Sequence, residues 1–362
     1  MILPATTKNV KLSISENQDR LSDLPDCVIL HILSFLNAKH AVQTCVLSTR
    51  YENLWKRIPV LILDSSESNF RTLKIFTEFV SNVLSHRDSS ISLQTLNFKR
   101  KHGRLEPQII KNIVDYALSH NVQQLGLCFN GNIVQTLPSM FSSQSLTHLN
   151  LSIYPSGGYQ EWFPKSFNLP ALTNLRIENF IFYIGDDDRA EPFSIFNSNV
   201  SSLKHVDIHA EVKQYHEKSP LLLSRWLREF ANIKSLTVSA TTLQVLSLIP
   251  NLSQISPPSL GNLKSLKVKM EELTPGFRMT LLDAKLHNAE SKNERKRLRK
   301  KFKEEGSGSL IPDGIVNFLL QNSPSAEVEF IDCTSQPLRA DIIRVLADAA
   351  LEAIYETIAE VG

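Results

Sequence analysis

The sequence predicts a mixed α/β protein in which a small N-terminal block of three helices precedes a long, irregular repeat solenoid. Three observations lead to this prediction. A short apolar pattern recurs along most of the 362 residues, segments with helical periodicity lie between its copies, and residues 20 to about 57 lack the pattern. A chain of this length predicts two to three domains, or one small module and one long one.

The first element, residues 20–64, reads as three short helices after a polar, aperiodic tail at 1–19. Asp23 or Ser22 is expected to cap the first helix, with Pro25 at its start. The block has more apolar residues than so small a unit can bury. An exposed apolar surface predicts a partner that covers it.

The recurring pattern places apolar residues at its first, fourth and sixth positions. Intervals of about 24–35 residues separate most copies, which is typical of an irregular leucine-rich array over residues 65–335. A weaker ninth copy is Val328 and Phe330. The eight clear copies are Ile58–Leu61–Leu63, Leu93–Leu96–Phe98, Val122–Leu125–Leu127, Leu146–Leu149–Leu151, Leu172–Leu175–Ile177, Leu203–Val206–Ile208, Ile233–Leu236–Val238 and Leu263–Leu266–Val268.

Helical segments are expected between the copies, at residues 71–86, 107–120, 219–232 and 312–324. Alternation of strand and helix predicts a parallel sheet with the helices on the convex face and an open concave face. Residues 336–362 carry apolar residues at helical spacing. We expect them to form a C-terminal helix that caps the solenoid.

A dense cationic run lies within a predicted helical insertion at about 277–305. Residues 292–303 hold eight basic residues and one acid, whereas the rest of the chain has 31 basic and 36 acidic residues. The bulk of the chain therefore has no electrostatic reason to bind nucleic acid, and we expect no such partner for it. We interpret the run as a solvated helix; a nuclear import signal and a phosphate-binding patch are the alternatives.

Several classes of function are excluded. The sequence contains no nucleotide-binding, hydrolase or zinc-protease motif, so we expect no active site and no cofactor. His205 and His209 are four residues apart on a predicted strand, a span of more than about 12 Å, so we expect no metal site. The N-terminus does not resemble a signal peptide and no apolar run would span a membrane. We expect a protein of a reducing compartment without a membrane partner.

The residues that alternate with the apolar ones in each strand point to the open face. We interpret them as the surface that binds a target protein; the alternative is a merely solvated side of the sheet. The candidate target-binding residues are His148, Asn150, Arg176, Glu178, His205, Asp207, His209, Lys267 and Lys269.

The N-terminal block resembles an F-box of the plant type. The residues that carry this resemblance are Leu24–Pro25–Asp26, Ile32–Leu33–Ser34–Phe35–Leu36, Ala41–Val42, Val46–Leu47–Ser48, Arg50 and Leu54–Trp55. Together with the repeats, the chain is similar to the plant F-box/LRR proteins over most of its length. The resemblance implies a non-catalytic subunit of a ubiquitin ligase: the F-box binds a Skp-type adaptor and through it a cullin–RING ligase, while the repeats hold the protein substrate. We expect the protein in the cytoplasm, the nucleus or both, with the basic run at 292–303 as the candidate import signal.

The adaptor-binding residues implied by the resemblance are Leu24, Pro25, Ile29, Ile32, Leu33, Leu36, Val46, Leu47, Leu54 and Trp55. The chain departs from the family pattern at Asn37, His40, Tyr51 and Glu52, and we expect these changes to affect docking more than fold. Three other functions remain open: an interaction scaffold whose F-box does not dock, a nucleic-acid-associated protein that uses residues 292–303, and a sensor of a small ligand on the open face.

Overall fold

The structure is a computed structural model that describes most of the chain. The predicted tail at 1–19 and the predicted C-terminal helix at 336–362 lie outside the described residues. The described residues are 23–65, 70–100, 105–130, 138–154, 167–181, 199–211, 218–249, 252, 256–289, 291–304 and 311–333.

The N-terminal block contains two α-helices, α1 (Asp26–Leu33) and α2 (Ala38–Gln43), and two 3-10 helices, Thr44–Val46 and Tyr51–Arg57. The third predicted helix is thus 3-10 rather than α. The predicted cap of α1 at Asp23 is wrong, because Pro25 is the N-cap and no side chain caps the helix. Asp26 in the first turn instead places a negative charge near the positive end of the helix dipole.

The repeats form one parallel sheet of nine strands, ordered along the sheet as along the chain. The strands are β1 (Val60–Asp64), β2 (Thr95–Arg100), β3 (Gln124–Asn130), β4 (His148–Tyr154), β5 (Asn174–Ile181), β6 (His205–Glu211), β7 (Ser235–Ser239), β8 (Ser265–Met270) and β9 (Glu327–Asp332). The predicted repeat register is confirmed: the second apolar positions pair across the whole sheet from Leu61 to Val328, and the third from Leu63 to Phe330.

The helices that follow the strands share a core with the apolar face of the sheet, as the alternation of strand and helix predicts. They are α3 (Leu73–His86), α4 (Pro107–Ser119), α5 (Lys218–Glu229), α6 (Ala240–Leu246), α7 (Pro275–Asn288) and α9 (Ile315–Leu320), with a 3-10 turn at Pro138–Ser142. A further helix, α8 (Lys292–Glu304), follows α7, and its described residues lie outside this core. This mixed α/β architecture is consistent with a repeat solenoid. No helix in the described ranges has the length and apolar character that crossing a membrane requires.

The N-terminal block packs directly against the first repeat. Ala38 belongs to the core of the sheet, and Trp55 contacts both that core and the small core of the block. The buried Arg87 donates from Nη1 to the Ile58 carbonyl at 2.5 Å, and the Asp88 amide donates to the Lys56 carbonyl at 3.1 Å. The two parts therefore share apolar and hydrogen-bonded contacts.

Candidate functional site

Exposed apolar side chains concentrate in the N-terminal block. Within the described residues, nine large apolar side chains are exposed, and four of them lie between residues 28 and 46. Val28 and Ile32 (40% exposed) lie one turn apart on α1, Phe35 (56%) follows in the turn after the helix, and Val46 (72%) lies in the first 3-10 helix. Four exposed apolar residues in so short a stretch indicate an interaction surface.

The structure divides the predicted adaptor-binding residues into two groups. Ile29, Leu33 and Leu54 are buried in the block's own core, so they are unavailable to a partner and their assignment to its surface is corrected. Ile32, Val46 and Pro25 are exposed, while Leu24, Leu36, Leu47 and Trp55 are half-buried. Sequence reasoning left out Val28 and Phe35; their spacing of four and three residues from Ile32 was the available signal.

Two polar contacts hold the start of α1 in place. Arg50 donates from Nη2 and Nε to Asp26 Oδ1 at 2.7 and 3.1 Å, and from Nη2 to the Leu24 carbonyl at 2.5 Å. These bonds tie the Leu24–Pro25–Asp26 segment to the chain just before the second 3-10 helix. The exposed residues of α1 are therefore presented on a fixed backbone.

The departures from the family pattern have local structural roles. Asn37 caps α2: its Oδ1 accepts from the His40 amide at 3.0 Å, and its Nδ2 lies 3.1 Å from His40 Nδ1. Tyr51 is buried in the core of the block, whereas Glu52 is exposed. Three of the four departures thus serve folding of the block.

The open face of the sheet carries a pocket of about 400 Å³ over strands β4 to β8. Six of the nine candidate target-binding residues line it, because the parallel register brings equivalent positions of neighbouring strands side by side. The polar lining residues are His148, Asn150, Asn174, Arg176, His205, Asp207, Ser235, Thr237 and Lys267.

A network of ion pairs centres on Asp207. Lys269 donates to its Oδ1 and Oδ2 at 3.0 and 2.8 Å, and Arg176 Nε lies 3.5 Å from Oδ2. Arg176 also donates from Nε to Glu178 Oε1 at 2.7 Å. Glu178 and Lys269 thus lie outside the pocket lining but contact it.

Small side chains on β7 make the central contact possible. Ser235, Thr237 and Ser239 stand between Asp207 on β6 and Lys269 on β8, so the lysine side chain reaches across the intervening strand. The pairing of β5 with β6 is irregular between Ile177 and Phe180, next to the charged residues. Irregular pairing of this kind re-aims side chains at functional sites.

His209 lies outside the pocket and contacts Glu271. The two side chains are joined by a hydrogen bond of 3.2 Å from His209 Nδ1 to Glu271 Oε2. This bond holds the pKa of Glu271 below its usual value. Partial burial raises the pKa of the nearby Cys333 thiol, and Glu271 acts in the same direction.

Across the described ranges, no group of three or more histidine, cysteine or acidic side chains is placed to hold a metal ion. The pocket instead presents amide, hydroxyl, imidazole and paired charged groups. Such a lining supplies hydrogen bonds and charge to a polar surface.

Comparison with known proteins identifies the N-terminal block. The family model for the F-box domain matches residues 21–63. The matches support a plant F-box/LRR family for this chain. The F-box domain contains four of the nine large apolar side chains that are exposed in the described residues.

Relatives from Arabidopsis thaliana are similar over different lengths. An F-box/FBD/LRR-repeat protein is 31% identical over 46% of this chain and 36% of its own length. An F-box/LRR-repeat protein is 28% identical over 70% of this chain and 56% of its own length. An FBD-associated F-box protein is 27% identical over 88% of this chain and 84% of its own length. This chain thus spans about a third of the length of the first relative and just over half of the length of the second.

Proposed function

We propose that this F-box/LRR chain is a non-catalytic substrate-recognition subunit of an SCF-type ubiquitin ligase. In this role the F-box binds a Skp-type adaptor and the open face of the sheet holds the target protein. The chain thereby raises the local concentration of the target beside the ligase, which needs no chemistry of its own.

The observation that carries the proposal is the F-box at residues 21–63 together with its exposed apolar side chains. F-box domains typically bind Skp-type adaptors. Burying an apolar side chain such as Ile32 contributes roughly 1.5–3 kcal/mol, so a few such residues suffice for a stable complex.

The open-face pocket supports the second half of the proposal. It is too polar for a purely apolar ligand, and its charged groups are held in place by their neighbours. Pre-positioned polar groups reduce the entropy lost on binding and provide specificity. A polar segment of a protein partner fits this lining.

The test is co-purification of the full chain with a Skp-type adaptor. The variant Ile32→Asp plus Val46→Asp places two charges on the exposed apolar surface of the F-box without altering its core. We expect at least a tenfold loss of adaptor binding, because each buried, unpaired carboxylate is costly.

A matched control is Ile75→Asp plus Met279→Asp, two apolar residues that are 48% and 52% exposed elsewhere. This control is expected to retain binding. Equal loss in both variants would remove the exposed F-box surface as the docking site, and no binding by the unaltered chain would show that the chain is an interaction scaffold. Proximity labelling by the variant Arg176→Ala plus Lys267→Ala then tests the open-face pocket. Loss of labelled proteins while adaptor binding is intact assigns target binding to the pocket. An unchanged set of labelled proteins removes that assignment.

A further inference from the structure

Helix α8 carries five of its eight basic residues on one continuous face. Lys292, Arg295, Lys296, Arg299 and Lys300 are all exposed and follow the spacing i, i+3, i+4, i+7 and i+8. We name these five residues the basic stripe. The same spacing, filled with leucines, would make the buried face of a helix. The stripe is about 12 Å long at the helical rise per residue.

The apolar side that adjoins the stripe anchors α8 to the protein. Phe302 is half-buried and lies under the guanidinium of Arg278 on α7, with 5.3 Å from Arg278 Cζ to the ring centroid. Leu298, one turn earlier, is also half-buried. Glu294 lies off the basic stripe. The five stripe residues remain exposed beside this contact.

One cap and one tertiary hydrogen bond hold this helical pair in place. The Glu294 amide donates to Ser291 Oγ at 3.1 Å, which caps the start of α8. Asn288 at the end of α7 donates from Nδ2 to the Leu248 carbonyl at 3.1 Å. Because α7 buries Phe277 and Leu281 in the main core, the stripe is carried on a supported helix.

The composition of the stripe discriminates between partners. Membrane helices insert an apolar face, but the apolar residues of α8 pack toward α7. Protein interfaces rely on apolar and aromatic anchors, and the stripe contains none. It also lacks an exposed aromatic residue for stacking on unpaired bases. A regular array of phosphates is the partner that cationic side chains can bind without apolar or aromatic anchors.

We propose that the basic stripe of α8 binds the phosphodiester backbone of duplex nucleic acid without sequence preference. This activity is separate from adaptor docking, because it uses a different end of the chain. A helix of this length contacts roughly three to five phosphates. Raising the salt from 50 to 200 mM is then expected to weaken binding between about 40-fold and about 500-fold.

The test uses the full chain and a fluorescent 20-base-pair DNA duplex of arbitrary sequence, with the RNA duplex and the single strand as further probes. In the variant K292Q/R295Q/K296Q/R299Q/K300Q, glutamine keeps the helix propensity and removes the charges. We expect at least a 30-fold loss of duplex affinity at 50 mM salt and a flatter salt dependence. The variant should still bind the adaptor and melt at the same temperature.

The matched control, K74Q/K111Q/K204Q/K234Q/K264Q, removes five exposed charges elsewhere and should keep affinity within about threefold. Equal loss in both variants would overturn the proposal, since net charge alone would then explain binding. Absence of duplex binding by the unaltered chain at 50 mM salt would also overturn it, as would tighter binding to anionic vesicles or to poly-glutamate than to the duplex.

Discussion

Asn37 and His40 show how a departure from a family pattern can be explained by local hydrogen bonding. An asparagine before a helix satisfies a backbone amide that would otherwise lack a partner, and here the His40 amide is that donor. Comparison with a family pattern registers only that these residues differ. Helix-capping chemistry would have assigned Asn37 a structural role from the sequence, because asparagine is among the best N-cap residues.

Glu271 provides a pH-dependent contribution to stability. The hydrogen bond from His209 favours the carboxylate, so the pKa of Glu271 in the folded chain lies below its usual 4.5. The unfolded chain binds more protons at this site, so the stabilisation is complete above pH 4.5 and is lost as the pH falls through the folded pKa. We expect the stability difference between the unaltered chain and Glu271→Gln to shrink between pH 6 and pH 3, measured by urea unfolding.

His209→Ala is the companion variant for this measurement. It removes the hydrogen-bond donor and leaves the carboxylate, so it should show the same shrinking difference from the unaltered chain. A difference that stays constant over the same pH range, in either variant, would contradict the role of the His209–Glu271 pair.

At the scale of elements, α1 illustrates what the sequence alone leaves undecided. The apolar stripe of α1 was predicted, but the division between buried Ile29 and Leu33 and exposed Val28 and Ile32 depends on which face packs against the 3-10 helices. That packing is a tertiary contact with Tyr51 and its neighbours. An apolar stripe wider than one helix face predicts a partner without indicating which residues it covers.

The junction between the F-box and β1 depends on Arg87. Its guanidinium is buried and donates to the Ile58 carbonyl at 2.5 Å and to the Ile91 carbonyl at 3.5 Å. Arg87→Met leaves a buried carbonyl without its donor, so we expect a loss of about 1–3 kcal/mol in the free energy of unfolding. Denaturant unfolding measures this loss in the free energy of unfolding. Arg71→Met, at an exposed position, is the control and should change stability by less than about 0.5 kcal/mol; equal changes would contradict the junction role.

For the molecule as a whole, one core extends along the sheet from Leu61 on β1 to Leu319 on α9. Leu149 lies buried in the middle of this core, whereas Val328 on the last strand is exposed. We expect Leu149→Ala to cost about 2–5 kcal/mol. Val328→Ala should cost about 1 kcal/mol or less. Guanidinium unfolding of both variants provides the measurement, and similar losses would show that the last strand is buried in solution.

The repeat register could be predicted because each copy carries its own apolar signal, as at Leu146–Leu149–Leu151. The contact between Asp207 and Lys269 could not be predicted from the sequence. It joins residues 62 positions apart and depends on the small side chains of the strand between them. Both residues were predicted on the open face, but their pairing required the lateral order and register of the strands β6, β7 and β8.

The span of Lys269 across β7 has a consequence for how this gene can change. Arrays of this architecture lengthen or shorten when one unit is duplicated or deleted. Such an event between β6 and β8 would move the lysine by one strand width, about 4.8 Å, and separate it from Asp207. We therefore expect descendants of this chain to vary in unit number outside that segment and to keep three consecutive units there.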